Sequence, residues 1–238
     1  MTNPKPITLH EIQEETKKRV SVIEQELLDG FELLAHQPKS VTIFGSARIT
    51  NGPYYDSAKK LAHDLVREGY SIVTGGGPGI MEGANRGAFE GHGRSIGLNI
   101  ELPHEQSTNG FTTHHMHFYY FFTRKVMLAF SAEAYVFFPG GFGTLDEFFE
   151  ILTLVQNGKI EPVPIILFGS EYWNPLNEFI EKTILQNFKA IVPEDTKLYT
   201  ITDDPSLVIE TIKKVPIRNG IRLHFKNTSQ VDEQAKTN

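Results

Sequence analysis

Two glycine-rich turns hold the residues of this sequence best suited to chemistry. The first reads Thr74-Gly75-Gly76-Gly77-Pro78-Gly79-Ile80-Met81-Glu82, the second Pro139-Gly140-Gly141-Phe142-Gly143-Thr144-Leu145-Asp146-Glu147. Each follows an apolar run and opens a stretch of helical periodicity. Glycine lets the backbone take positive φ and approach a ligand with no Cβ in the way, so successive amides can converge on one anion. A helix N-terminus adds its dipole to that pull. Gly76, Gly77 and Gly79 in the first turn, and Gly140, Gly141 and Gly143 in the second, are therefore expected to line an anion site. Thr144 can donate its hydroxyl to the same anion. The alternative for Thr144 and Glu147 is a capping box, in which the two satisfy the free amides of their own helix. A third turn, Phe44-Gly45-Ser46-Ala47-Arg48, places Ser46 either at the ligand or in an ordinary βα connection. Neither large cluster has the spacing of a dinucleotide fingerprint or the Lys-Ser/Thr ending of a P-loop, so a monophosphate fits better than NAD or ATP.

These turns have to be gathered on one edge. From residue 41 onward, β-rich runs at 41–44, 71–74, 95–100, 134–138, 163–168 and 198–201 alternate with helical stretches near 54–68, 79–90, 119–131, 143–157, 172–187 and 205–214. Most of the runs are apolar throughout, the mark of strands covered on both faces by helices. The expected fold is α/β, a doubly wound, mostly parallel Rossmann-like sheet with an extra N-terminal helix. In such a sheet ligands bind beyond the carboxyl ends of the strands. Residues 1–36 read as a helical extension whose Ile12, Val20, Ile23, Leu27, Phe31 and Leu34 form an apolar stripe for packing on the main domain. Pro38 interrupts that pattern, residues 37–216 form the nucleotide-binding domain, and 217–238 are a polar tail.

Composition removes several classes of function. The chain has no Cys, which excludes a disulfide framework, a thiolate nucleophile and a Cys-based zinc site. Its net charge of −6 offers no basic field for nucleic acid. No apolar run is long enough for a bilayer and the N-terminus lacks a secretory h-region, so a cytoplasmic location is expected. His114, His115 and His117 raise the question of a metal, but no neighbouring carboxylate completes a ligand set. The run 118–122, Phe-Tyr-Tyr-Phe-Phe, is expected in the core or at a subunit contact.

Three motifs in order then point to one family. Residues 139–147 resemble the PGGxGTxxE signature of the LOG family, historically labelled lysine decarboxylase, with every fixed position present. Thr123-Arg124-Lys125 resembles its Arg-Lys pair, and Gly75 to Met81 its GGGxxGxM turn. The resemblance runs from about residue 41 to 164, whereas the N-terminal helix and residues 101–110 look closer to a longer bacterial branch. It implies a nucleoside 5′-monophosphate phosphoribohydrolase that releases free base and ribose 5-phosphate, with no organic cofactor and no metal. AMP or a cytokinin-type nucleotide is the implied substrate, and a homodimer the implied assembly. A non-catalytic nucleotide or molybdenum-cofactor carrier is the alternative on the same fold. Decarboxylation through pyridoxal phosphate would need a Schiff-base Lys, and none stands out.

Under this resemblance Glu147 and Arg124 are the catalytic pair. Breaking an N-glycosidic bond builds positive charge on the ribose, which a carboxylate near C1′ stabilises while it steers the attacking water. Arg124 supplies a forked donor to phosphate, sugar or base. Lys125 points about 100° further round its helix and is a weaker substrate contact. Glu82 is expected at the ribose hydroxyls, Met81 against the base, and Asp146 as support for the helix dipole.

Overall fold

A computed structural model describes residues 8–37, 39–101 and 108–215. Pro38, most of the 101–110 stretch and the polar tail lie outside the described residues. Seven strands form one parallel sheet: β1 (Ser40–Phe44), β2 (Ser71–Thr74), β3 (Ser95–Ile100), β4 (His114–Phe118), β5 (Ala134–Phe137), β6 (Ile165–Phe168) and β7 (Thr200–Thr202). Their order across the sheet is β4-β3-β2-β1-β5-β6-β7. The fold is Rossmann-like, and every recorded strand pairing is parallel.

Helices cover both faces because the central strands are buried on both. Helices α2 (Pro53–Arg67), α3 (Ile80–Glu90) and α7 (Pro205–Lys213) close one core, built on Val41, Ile43, Ile72 and Val136. On the other face lie α1 (Leu9–Ala35), α4 (Phe121–Phe130), α5 (Phe142–Gln156) and α6 (Ser170–Phe179), over Val73, Leu98, Tyr135 and Phe137. Fully buried Trp173 anchors α6 by donating Nε1 to the carbonyls of Phe137 and Phe168. The helix expected over 172–187 is in fact two pieces, since α6 continues as a π-helical stretch over Ile180–Asn187.

Two expectations need correction. His114–Phe118 is a strand that the alternation did not include. It lies on the sheet edge with exposed His114, His115 and His117, so it lacks the apolar run of a covered strand. The stripe on α1 also fails at its N-terminal half, where Ile12 and Val20 are exposed. Its buried residues are Glu26, Gly30 and Leu34. At about 1.5 Å per residue this 27-residue helix is about 40 Å long, and its buried residues all lie in its C-terminal half. No helix among the described residues is long and apolar enough to cross a membrane.

Candidate active site

The chain winds outward from β1 to β4 and then returns to place β5 against the free side of β1. That reversal leaves a crevice beyond the carboxyl ends of β1 and β5, where open α/β sheets bind ligands. All three glycine turns end at this edge, and main-chain bonds join them. Ser46 N–H donates to Pro139 O at 3.0 Å, while Ser46 O accepts from Ile80 N–H at 3.0 Å. Ser46 thus connects the other two turns through its backbone, and its Oγ accepts from Arg48 N–H.

Helix α5 begins at Phe142, with Gly141 as its N-cap and no side-chain cap. The capping box is therefore not formed. Thr144 already lies at the third helical position, three residues too late to cap. The opening amides at Phe142, Gly143 and Thr144 carry the partial positive charge of the helix end. Gly141 and Gly143 are exposed, with open space where a Cβ would stand, and Thr144 is buried. At Gly140 a Cβ would run into the Thr144 side chain, so the turn needs glycine for this close approach. Tyr172 Oη on α6 holds the turn from behind by donating to Gly140 O at 2.7 Å.

The first turn is built on buried amides that the sequence reading missed. Gly76 N–H donates to Thr74 Oγ1, whose own proton goes to Asn85 Oδ1 at 2.6 Å. Asn109 Nδ2 donates to both Asn85 Oδ1 and Gly77 O, and Asn99 Nδ2 donates to Gly76 O. Gly76 and Gly79 take φ of +69° and +71°, the left-handed region open to glycine. The available signal was propensity: Asn85 in a helix and Asn99 in a strand sit where asparagine is disfavoured, as polar residues serving a local network do. Met81 Sδ comes up to Gly75, on which the Arg124 guanidinium also lies. Glu82 accepts from Tyr55 Oη on α2 at 3.3 Å.

Arg124 is half-buried, donating Nε to Leu98 O at 2.7 Å and Nη2 to Gly75 O at 3.5 Å. Burial presses its pKa below the ordinary arginine value, and the negative charge of Glu147 opposes that shift. Glu147, in the second turn of α5, is 7% exposed, and its Oε2 is buried with no hydrogen-bond partner. Burial raises its pKa to about 7, against the attraction of Arg124 and Lys125 and with added repulsion from Glu150 and Asp146. A carboxyl titrating near neutrality beside a fixed cation is what general acid–base chemistry requires. Lys125 reaches Asp146 at 2.9 Å and Glu150 at 3.0 Å, clamping α4 to α5. Burial pulls the Lys125 pKa down, but those two carboxylates outweigh it and hold it raised. Asp146, expected only to support the dipole, is one of these partners. His115 and His117 touch edge to face on β4, and no three potential ligands for a metal cluster among the described residues.

Residues 81–212 match the model of the family described as possible lysine decarboxylase. The chain belongs to this family. Among its LOG-family relatives, the cytokinin riboside 5′-monophosphate phosphoribohydrolase of Rhodococcoides fascians is 31% identical over 160 residues, 63% of this chain and 78% of that protein. One from Arabidopsis thaliana is 32% identical over 186 residues, 74% of this chain and 82% of its own. The solved molybdenum cofactor binding protein of Rippkaea orientalis is similar in fold, with a TM-score of 0.55 at 20% identity over 74% of this chain and 95% of that one. In the LOG-family chain described here, the matched region contains Arg124, the second glycine turn and Glu147, and begins at Met81.

Proposed function

We propose that this chain is a nucleoside 5′-monophosphate phosphoribohydrolase, with AMP or a cytokinin-type nucleotide as its substrate. The observation that carries this reading is Glu147, a buried carboxyl with an unpartnered oxygen and a pKa of about 7, one turn behind an uncapped helix end. The amides of Phe142, Gly143 and Thr144 take the 5′-phosphate, and the same helix brings Glu147 to the ribose. One rigid element thereby fixes both ends of the ribose phosphate. As the C1′–N bond breaks, its electron pair leaves with the base and positive charge grows on the ribose, facing the Glu147 carboxylate. Water then adds to C1′, and its proton passes to Glu147 and on to the departing base nitrogen. The products are free base and ribose 5-phosphate. Arg124, held by two carbonyls, keeps the carboxyl partly ionised at neutral pH by charge attraction. Lys125, the lysine next to Arg124, is held protonated by two carboxylates and so does not offer the neutral amine that Schiff-base chemistry with pyridoxal phosphate needs.

The direct test is release of free base from AMP, cytokinin riboside monophosphates and the other common monophosphates, against the parent nucleosides. Monophosphates are expected to be cleaved and nucleosides not. Binding of nucleotides with no cleavage of any would overturn the hydrolase reading in favour of a carrier.

We further propose a homodimer formed through the helices that flank the site. Tyr119, Phe121 and Phe122 at the start of α4, and Phe142 and Phe149 on α5, are exposed aromatics, with Phe142 at 92%. Apolar surface of this kind on a soluble chain marks interaction sites. Sedimentation velocity should give a dimer for the wild type and a monomer for Phe142→Glu. A wild-type monomer would exclude the assembly.

A further inference from the structure

Helix α4 carries Arg124 and Lys125, yet its own sequence does little to start it. Its N-cap, Tyr120, makes no side-chain cap, and its first turn contains no acidic residue. A helix end lacking both leaves amides and a positive dipole unanswered. The N-terminal extension brings a carboxylate to this end, bonded to the residue before the N-cap and to a first-turn hydroxyl rather than to the opening amides themselves. Glu26 on α1, 7% exposed, accepts through Oε1 from Tyr119 N–H, next to the N-cap, and through Oε2 from Thr123 Oγ1 at 2.5 Å. Thr123 is fully buried and immediately precedes Arg124. A buried carboxylate with both oxygens engaged by one helix end fixes that end in position as well as stabilising it.

The rest of the contact is shaped for the same approach. Glu26, Gly30 and Leu34, the buried residues of α1, lie four apart and so on one face. At Gly30 a Cβ would meet Met127 Sδ of α4 at 2.5 Å, so glycine lets the two backbones close in. Phe31 packs on Phe130 with ring centroids 6.1 Å apart. Contacts at Glu26, Gly30 and Phe31 thus follow α4 from its first turn to its last residue.

We infer that the N-terminal helix is a working part of the catalytic site, with Glu26 as a positioning residue that sets the first turn of α4 and, through Thr123, the placement of Arg124. This inference rests on the hydrolase reading for its activity assay, but not for its structural one. Glu26→Ala leaves Tyr119 N–H without its acceptor, leaves the Thr123 hydroxyl only the Tyr120 carbonyl within its own helix end, and lets Arg124 drift from Glu147. The expected result is a kcat lower by at least about tenfold, since small misplacements of catalytic groups cost that much or more. KM for the monophosphate should change little, because the amides of α5 are untouched. The acidic limb of the kcat/KM profile should also move upward, as a more distant cation holds Glu147 ionised less well.

Glu26→Gln keeps an acceptor for Tyr119 N–H and should restore most of the lost rate. Thr123→Val tests the bond from its other end if Glu26→Ala does not fold. Hydrogen exchange of the segment 119–127, compared with the other helices, reads the positioning directly. A folded Glu26→Ala with wild-type kcat and an unmoved pH limb would overturn the inference, even if its melting temperature falls. If the wild type cleaves no monophosphate, the hydrolase reading fails by itself and exchange decides: selective loss of protection over 119–127 in Glu26→Ala upholds the positioning role, and unchanged protection removes it.

Discussion

Glu147→Gln is expected to reduce turnover of monophosphates by about three orders of magnitude while making the protein more stable above pH 7. The first effect follows from removing the group that faces the developing positive charge and accepts the proton of water, for which losses of about 10²–10⁴ are usual. The second follows from linkage. Glu147 has a folded pKa of about 7 against an ordinary value of 4.5. The folded state therefore binds this proton more tightly than the unfolded chain. The resulting stability is fully present below pH 4.5, falls as pH rises, and is lost above about 7. That gap corresponds to about 3 kcal/mol of strain from holding a carboxylate ionised in this site. Glutamine carries no charge and escapes it. Denaturant unfolding of both proteins at pH 4.5, 6 and 8 should show the variant gaining on the wild type as pH rises. Parallel curves would mean that Glu147 is not the buried, titrating group described here.

The second large effect belongs to Arg124. Arg124→Ala is expected to lower kcat/KM by about a hundredfold and to push the acidic limb of its pH profile above 7. The shift has a definite sign because the cation is the main influence opposing burial at Glu147. Arg124→Lys separates charge from geometry. A lysine keeps the cation but not the planar fork that bonds Leu98 O and Gly75 O together. Its limb should remain near 7 while kcat falls about tenfold. An Arg124→Ala profile with its limb unmoved would show that the two groups are not coupled.

The sheet and the glycine turns were legible in the sequence because both follow from local patterns. Central strands are continuous apolar runs, and a turn that needs positive φ or close approach shows itself as glycine. What stayed hidden depends on distant partners. Lys125 seemed a weak substrate contact, but its carboxylates stand 21 residues or more along the chain. Glu26 gave no signal at all, since a lone Glu on a charged helix looks like any solvated residue until α4 is packed against it. The capping-box alternative for Thr144 and Glu147 fails for a different reason. Their spacing matches a capping box, but the helix starts earlier, at Phe142, where Gly141 rather than Thr144 takes the N-cap. Strand β4 does not show as an apolar run because its edge position permits a run of histidines that no covered strand would tolerate.

The order of the strands also bears on when the site comes into being. Val41 pairs with Ala134, so the two strands flanking the crevice are distant in the chain and adjacent in space. Glu26 and Thr123 are separated by 97 residues. Contacts this distant close late, because the chain entropy of a long loop must be overcome before they form. A nascent polypeptide emerging from the ribosome presents β1 to β3 with α2 and α3 first, and it has no crevice until α5 has followed. Growing and partly folded chains thus hold the first glycine turn without Glu147, and a nucleotide meets the complete site only on the finished fold.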